Sequence, residues 1–188
     1  MKREPSEDAN GEGDLLVVRP ETPADREAIA SVVAAAFRSQ READLVDDIR
    51  ASADYIPELS LVAVERVTGE IVGHVMVSHT DLDDGETRHQ ILHLAPLAVA
   101  PSHQRQGIGS SLVYEVLAAA KAHGAPFVVL QGDPRYYGRF GFEPSTRHGI
   151  SLDLPDWAVP EAAQIIVLRD YDPALRGRVV YPPAFDEV

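Results

Sequence analysis

One stretch constrains the fold more than any other: Leu97-Ala98-Val99-Ala100-Pro101-Ser102-His103-Gln104-Arg105-Gln106-Gly107-Ile108-Gly109-Ser110-Ser111. An apolar strand runs into a tight polar turn with two glycines, and the turn opens directly into the helical run Leu112-Val113-Tyr114-Glu115-Val116-Leu117. At such a junction the first N–H groups of the helix have no partner inside it, and the helix dipole adds partial positive charge there. The turn is therefore an anion site. Gly107 and Gly109 lack Cβ and let the backbone approach a phosphate closely, and Ser110 and Ser111 add hydroxyl donors. The stretch reads as a pyrophosphate cradle. It is not a Walker A loop, because the Gly-Lys-Ser/Thr is absent, and not a dinucleotide fingerprint, because Leu112 stands where a third glycine is needed.

The hexapeptide Gln104-Arg105-Gln106-Gly107-Ile108-Gly109, preceded by Val99-Ala100-Pro101, resembles the acetyl-coenzyme A signature of the GNAT superfamily of N-acetyltransferases, Gln/Arg-x-x-Gly-x-Gly/Ala. A second stretch agrees with that family, the Tyr-x-x-x-Gly-Phe from Tyr137 to Phe142. The longer run Gly132 to Pro144 and the tail Tyr181-Pro182-Pro183-Ala184-Phe185 look like one bacterial subgroup of GNAT enzymes. The resemblance covers roughly Leu15 to Phe185. It implies the GNAT acyl-CoA N-acyltransferase fold, a mixed α/β domain whose mostly antiparallel sheet is split near its centre, with helices on both faces. It also implies acetyl-CoA as co-substrate, no metal, and an amine acceptor.

Taken in order, Met1 to Gly13 is charged and lacks apolar periodicity, so a disordered tail is expected there, followed by a single domain over 14–188. Leu15 to Arg19 reads as a strand, and Thr22-Pro23-Ala24-Asp25 as a capped helix start. Ile29, Val32, Val33, Ala36 and Phe37 recur at helical spacing and are expected to face the core. A second helix is expected over Glu42 to Arg50; in the resembling family this pair lines the acceptor side of the cleft. Strands follow at 59–67 and 70–80, then a solvated acidic loop over 81–86, then a strand from His89 to Val99. Pro96 inside that last strand cannot donate to a ladder, which argues for a bulge or an unpaired edge. The family parts two parallel strands at such a break and lays pantetheine in the gap. The following helix stops at Gly124, and Phe127-Val128-Val129-Leu130 reads as a strand buried on both faces.

Composition narrows the function classes. With 17 basic against 30 acidic residues, a net charge of −13 disfavours a nucleic-acid binder. No apolar run reaches the roughly 18 residues of a membrane span. The charged start does not read as a signal peptide, so a cytoplasmic location is expected. The chain has no cysteine, which excludes a thiolate nucleophile, and its seven histidines lack metal-site spacing. The sequence is silent on oligomeric state, though many members of the resembling family are homodimers.

Acetyl transfer from a thioester needs positioning, a proton acceptor for the amine, donors at the carbonyl oxygen, and an acid for the leaving sulfur. The resemblance makes Tyr137 the candidate acid, and backbone N–H groups at Leu97 or Val99 the candidate oxyanion donors. Many relatives use a glutamate as base on the strand before the turn, but here no acid lies between Glu86 and Glu115. His93 is the candidate base, His79 the second, and water relayed to bulk is the alternative. Donor contacts are expected from Leu97, Ala98, Val99, Gln104, Arg105, Gln106, Gly107, Ile108, Gly109, Ser110, Ser111 and Tyr137. Asp133 is read either as a holder of a cationic amine or as an ordinary helix start, and Trp157 as core or pocket wall. The expected activity is acetyl or short-acyl transfer to a primary amine by direct attack. The rivals are a CoA-binding regulatory module without turnover and an enzyme acting on protein or peptide amines.

Overall fold

The computed structural model describes residues 15–169 and 171–186; the expected N-terminal tail lies outside them. The strands are β1 (Leu16–Pro20), β2 (Ser60–Glu65), β3 (Ile71–Asp83), β4 (Arg88–Val99), β5 (Phe127–Gln131), β6 (Glu143–Pro144), β7 (Ile150–Ser151), β8 (Ala163–Val167) and β9 (Gly177–Val180). The helices are α1 (Arg26–Phe37), α2 (Arg41–Ala51), α3 (Ile108–His123) and the short α4 (Pro134–Tyr137). The main path of the sheet runs β1-β2-β3-β4-β5-β8-β6, and β9 joins it by pairing with β3 and β7. Neighbours are antiparallel except β4/β5 and β7/β9.

Alternation along the strands sends successive side chains to opposite faces. Val62, Met76 and Ala98 meet α1 and α2 through Ile29, Val33, Leu45, Val46 and Ile49. Leu61, Ala63, Val75 and Leu94 meet α3 through Leu112, Val113 and Val116. Helices thus cover both faces, as expected. Asp25 starts α1 by accepting from Thr22 N–H at 2.7 Å, while Arg19 clamps the same carboxylate at 2.7 and 2.9 Å.

Two expectations need correction. Phe37 is not in the core: it ends α1, is 43% exposed and lines a cleft, because the chain turns away at Arg38 with φ 57°. Asp81 to Asp83 belong to β3 rather than to a loop, because β9 and β4 both hydrogen-bond to them; only the tip at Asp84 to Thr87 is a turn, organised by the Asp84 carboxylate. Near the C-terminus, Gly177–Val180 forms a strand that pairs with β3 and β7, which the sequence reading did not assign.

Beneath α2 lies a buried polar knot. Glu21 accepts from Arg50 at 2.6 and 2.9 Å, from Tyr55 Oη at 2.8 Å and from Ser60 Oγ at 2.7 Å. The fully buried His74 Nε2 sits 3.1 Å from Ser60 Oγ and 3.3 Å from the Glu21 carboxylate. Burial alone would raise the Glu21 pKa, but hydrogen bonds from His74, Arg50, Ser60 and Tyr55 hold it well below the usual carboxylate range. Desolvation keeps His74 low. The knot ties the end of β1 to α2, β2 and β3.

Candidate functional site

The site grows from a break in the sheet. Opposite β3, the register slips between Val75 and Val77, so Leu97 and Leu94 take successive places with Ala95 and Pro96 bulged between them. The Ala95-Pro96 peptide is cis. On its other side β4 pairs with β5 at only two positions, Leu92↔Val128 and His93↔Val129. Past these the two strands part, and β5 stays with β8 along its whole length. The wedge opens into a cleft of about 850 Å³ lined by Leu94 to Leu97, Gln131, Gly132 and Tyr137, and by Phe37, Glu42, Leu45, Asp153 to Pro155, Trp157, Tyr181 and Phe185. That volume suits a small-molecule site.

At one end of the wedge β4 leads through Pro101–His103 into the glycine turn. Gly107 is the N-cap of α3 in the left-handed region, φ 87°, with no side chain capping the helix. Ser111 N–H makes the first intrahelical bond, to Gly107 O at 3.0 Å, so the amides of Ile108, Gly109 and Ser110 lack helical partners. Arg105 is also left-handed, φ 61°, and its exposed guanidinium makes no hydrogen bond among the described residues. Gln104 Nε2 donates to Val99 O at 3.1 Å and Gln106 Nε2 to Ser102 O at 3.2 Å, so both amides brace the turn. A diphosphate fits this cradle of free amides with open space before it. Ala98 is buried against α1 and α2 and can contribute only backbone.

Two residues missed in the sequence join the cradle. Tyr136 packs its hydroxyl against Gly109, 2.6 Å from where a Cβ would stand. Arg139 lies over the Tyr136 ring at 4.6 Å and reaches Ser110 Oγ at 3.4 Å, which brings a cation to the start of α3. The motif Tyr-Tyr-Gly-Arg held the signal, but only the fold carries Arg139 to Ser110, 29 residues away.

Tyr137 stands on the β5 side of the wedge. Asp133 caps its short helix by accepting from Arg135 N–H at 2.9 Å, which makes Asp133 a helix start rather than an amine holder. The Tyr137 ring packs edge-on against Tyr136 and Phe142. Gly132 is required beneath it, since a Cβ there would sit 2.3 Å from the ring. Burial pushes the phenol pKa up, so Tyr137 holds its proton far above neutrality.

His93 lines the cleft across from Tyr137 and is 4% exposed. Tyr181 and Phe185 meet its ring edge-on at 5.0 and 5.1 Å, and its Nδ1 is buried without a partner. Burial lowers its pKa to about 4. His79, the second candidate base, is not brought to the cleft; it packs beside His123 at 5.9 Å. His103 bonds Ser102 Oγ, and Trp157 is 83% exposed on the cleft wall rather than in the core.

A stability prediction follows from His93. Its folded pKa lies below the unfolded value of 6.5, so its contribution is whole above about pH 6.5 and is lost as pH falls from there to about 4. The loss across that window is about 3 kcal/mol. Thermal unfolding of wild type and His93→Gln at pH 7.5 and 4.5 checks this: wild type is expected to lose more stability in acid than the variant.

No helix among the described residues is long and apolar enough to cross a membrane, and none of their His, Asp and Glu side chains cluster in threes able to hold a metal ion. The acetyltransferase (GNAT) domain model matches residues 17–145. Escherichia coli K12 YhbS, an uncharacterized N-acetyltransferase, is 36% identical over 140 residues, 74% of this chain and 81% of that protein. The crystal structure of E. coli YhbS in complex with CoA is similar with a TM-score of 0.82 at 32% identity, covering 94% of this chain and 96% of that one. A GNAT family acetyltransferase from Brucella melitensis in complex with acetyl-CoA gives 0.72 at 33% identity, over 91% and 98% of the two chains.

Proposed function

The chain belongs to the GNAT family of N-acetyltransferases, and from that premise we propose that it transfers an acetyl or short acyl group from acetyl-CoA to a small primary amine by direct attack. The observation that carries the reading is the wedge between β4 and β5, which runs from the uncapped start of α3 to Tyr137 and His93. CoA complexes of the similar proteins from E. coli and Brucella support it.

Acetyl-CoA supplies an acyl group already activated as a thioester. The amides of Ile108, Gly109 and Ser110, flanked by Arg105 and Arg139, hold the diphosphate, while Gln104, Gln106 and Ser111 shape the turn around it. Backbone along Leu97, Ala98 and Val99, unpaired on the β5 side, holds the pantetheine arm, and N–H groups at Leu97 or Val99 meet the carbonyl oxygen as charge grows there. As the acceptor nitrogen bonds to the acyl carbon, the carbon–sulfur bond breaks and Tyr137 gives its proton to the departing sulfur. His93, uncharged at neutral pH, accepts from the amine and orients it; being a weak base, it passes the proton on to water. With no cysteine in the chain, the acyl group has no thiolate to rest on.

Calorimetric titration of acetyl-CoA into wild type and Gly107→Glu tests the donor site. Wild type is expected to bind in the micromolar range. The variant places a carboxylate where the diphosphate goes, in a left-handed position that strains any side chain, so it is expected to bind at least about tenfold more weakly. Absence of binding by folded wild type would remove the donor assignment.

A further inference from the structure

The cleft carries a charge that no described residue answers. Glu42, in the first turn of α2, lines the cleft, its Oε2 is buried, and it makes no hydrogen bond or ion pair among the described residues. The other acid on that wall, Asp153, is taken by Arg178, whose Nε lies 3.1 Å from it and whose Nη2 is also bonded to it. The cleft that Glu42 lines is otherwise largely apolar, with Phe37, Leu45, Trp157, Tyr181 and Phe185 in its walls. Glu42 as a whole is half-buried, and a carboxylate with one oxygen out of water and no partner gains from a cation that meets it. Aromatic faces beside it favour a cation further. A second orphaned polar group faces the same space, the 4%-exposed His93 with its unpartnered Nδ1.

We propose that Glu42 is the specificity residue for the acceptor and that the acceptor is a small alkyl amine bearing a second cationic group. This rests on the acetyl-transfer reading of the cleft. The reacting nitrogen must be neutral to attack, and a carboxylate pairing with it would keep it protonated. Glu42 therefore serves the far cation, which keeps its charge throughout. The alkyl chain runs along the apolar wall and delivers the neutral nitrogen to the space between His93 and Tyr137. An acceptor with a carboxylate in place of the far cation meets Glu42 as a like charge and is rejected. The net charge of −13 draws cations toward the site.

The test uses the full chain with CoA present and an isosteric pair, 1,4-diaminobutane and pentylamine, titrated by calorimetry into wild type and Glu42→Gln. Wild type is expected to bind the diamine at least about tenfold more tightly than the monoamine, and Glu42→Gln to erase most of that ratio. Equal binding of the two amines by wild type, no binding of the diamine, or an unchanged ratio in a folded Glu42→Gln overturns the proposal. The wild-type comparison decides even where the variant fails to fold. Release of CoA thiol from acetyl-CoA with each amine is read separately. Diamine binding that depends on Glu42, without thiol release, would leave the cation site standing and remove the acetyl-transfer reading instead.

Discussion

Tyr137→Phe is expected to cut kcat by about 10²–10⁴-fold, the range that general acid catalysis contributes, while leaving acetyl-CoA affinity nearly unchanged. The substitution removes one oxygen and keeps the ring. The edge-on packing against Tyr136 and Phe142 therefore survives, as does the fit over Gly132. What disappears is the proton for the departing sulfur. Burial raises the Tyr137 pKa, so wild type keeps that proton through the neutral and mildly basic range, and its rate should not fall there through loss of the acid. Steady-state kinetics at saturating acetyl-CoA, paired with calorimetry, separates the two effects. An unchanged kcat would mean that Tyr137 only packs α4 against the sheet.

Glu21→Gln is expected to destabilise the fold by about 3 kcal/mol, because it removes the carboxylate that the buried Arg50 meets through Nε and Nη2 and leaves that guanidinium only the exposed Asp47 on Nη1. For a chain of this size that corresponds to a fall in Tm of roughly 10 °C. The deficit depends on pH with a definite sign. The Glu21 pKa is lowered in the folded state from its usual 4.5, so its contribution is present above about pH 4.5 and is lost as pH drops below that value. Wild type and variant should therefore converge in acid and differ most near neutrality. Denaturant unfolding at pH 7 and pH 3.5 catches the beginning of that loss; a difference that does not shrink at all at pH 3.5 would show that shape, not charge, is what Glu21 contributes.

Much of this was legible in the sequence because the informative signals are local. The glycine turn with its helix, the apolar run of β5, the proline in β4 and the Gly124 stop each depend on a few adjacent residues, and each stands where it was expected. What escaped reading depends on distant segments meeting. Gly177–Val180 looks like an ordinary tail until Val179 pairs with Leu82. Arg139 and Tyr136 become part of the anion cradle only when α4 docks on α3. His93 ranked ahead of His79 on strand position alone, but which strand histidine faces a cleft depends on packing against both faces of the sheet; the structure turns His93 to Tyr181 and His79 to His123. Glu42 was one acid among 30 until its neighbours proved to be apolar.

The parting of β4 from β5 after two paired residues has a consequence for solubility. It leaves an open strand edge within a folded sheet, and unpaired edges are where foreign chains add on and aggregation starts. Proteins commonly blunt such edges with lysines or prolines at the rim. Here Pro96, which has no N–H to offer, sits on the β4 edge, the gap tapers to the paired residues Leu92↔Val128 and His93↔Val129, and helices pack on both faces of the sheet. A slender unbranched molecule laid along these amides would cover the edge and leave less of it for a foreign strand. The parting of the strands is thus both a place where a ligand can lie and an edge that needs covering.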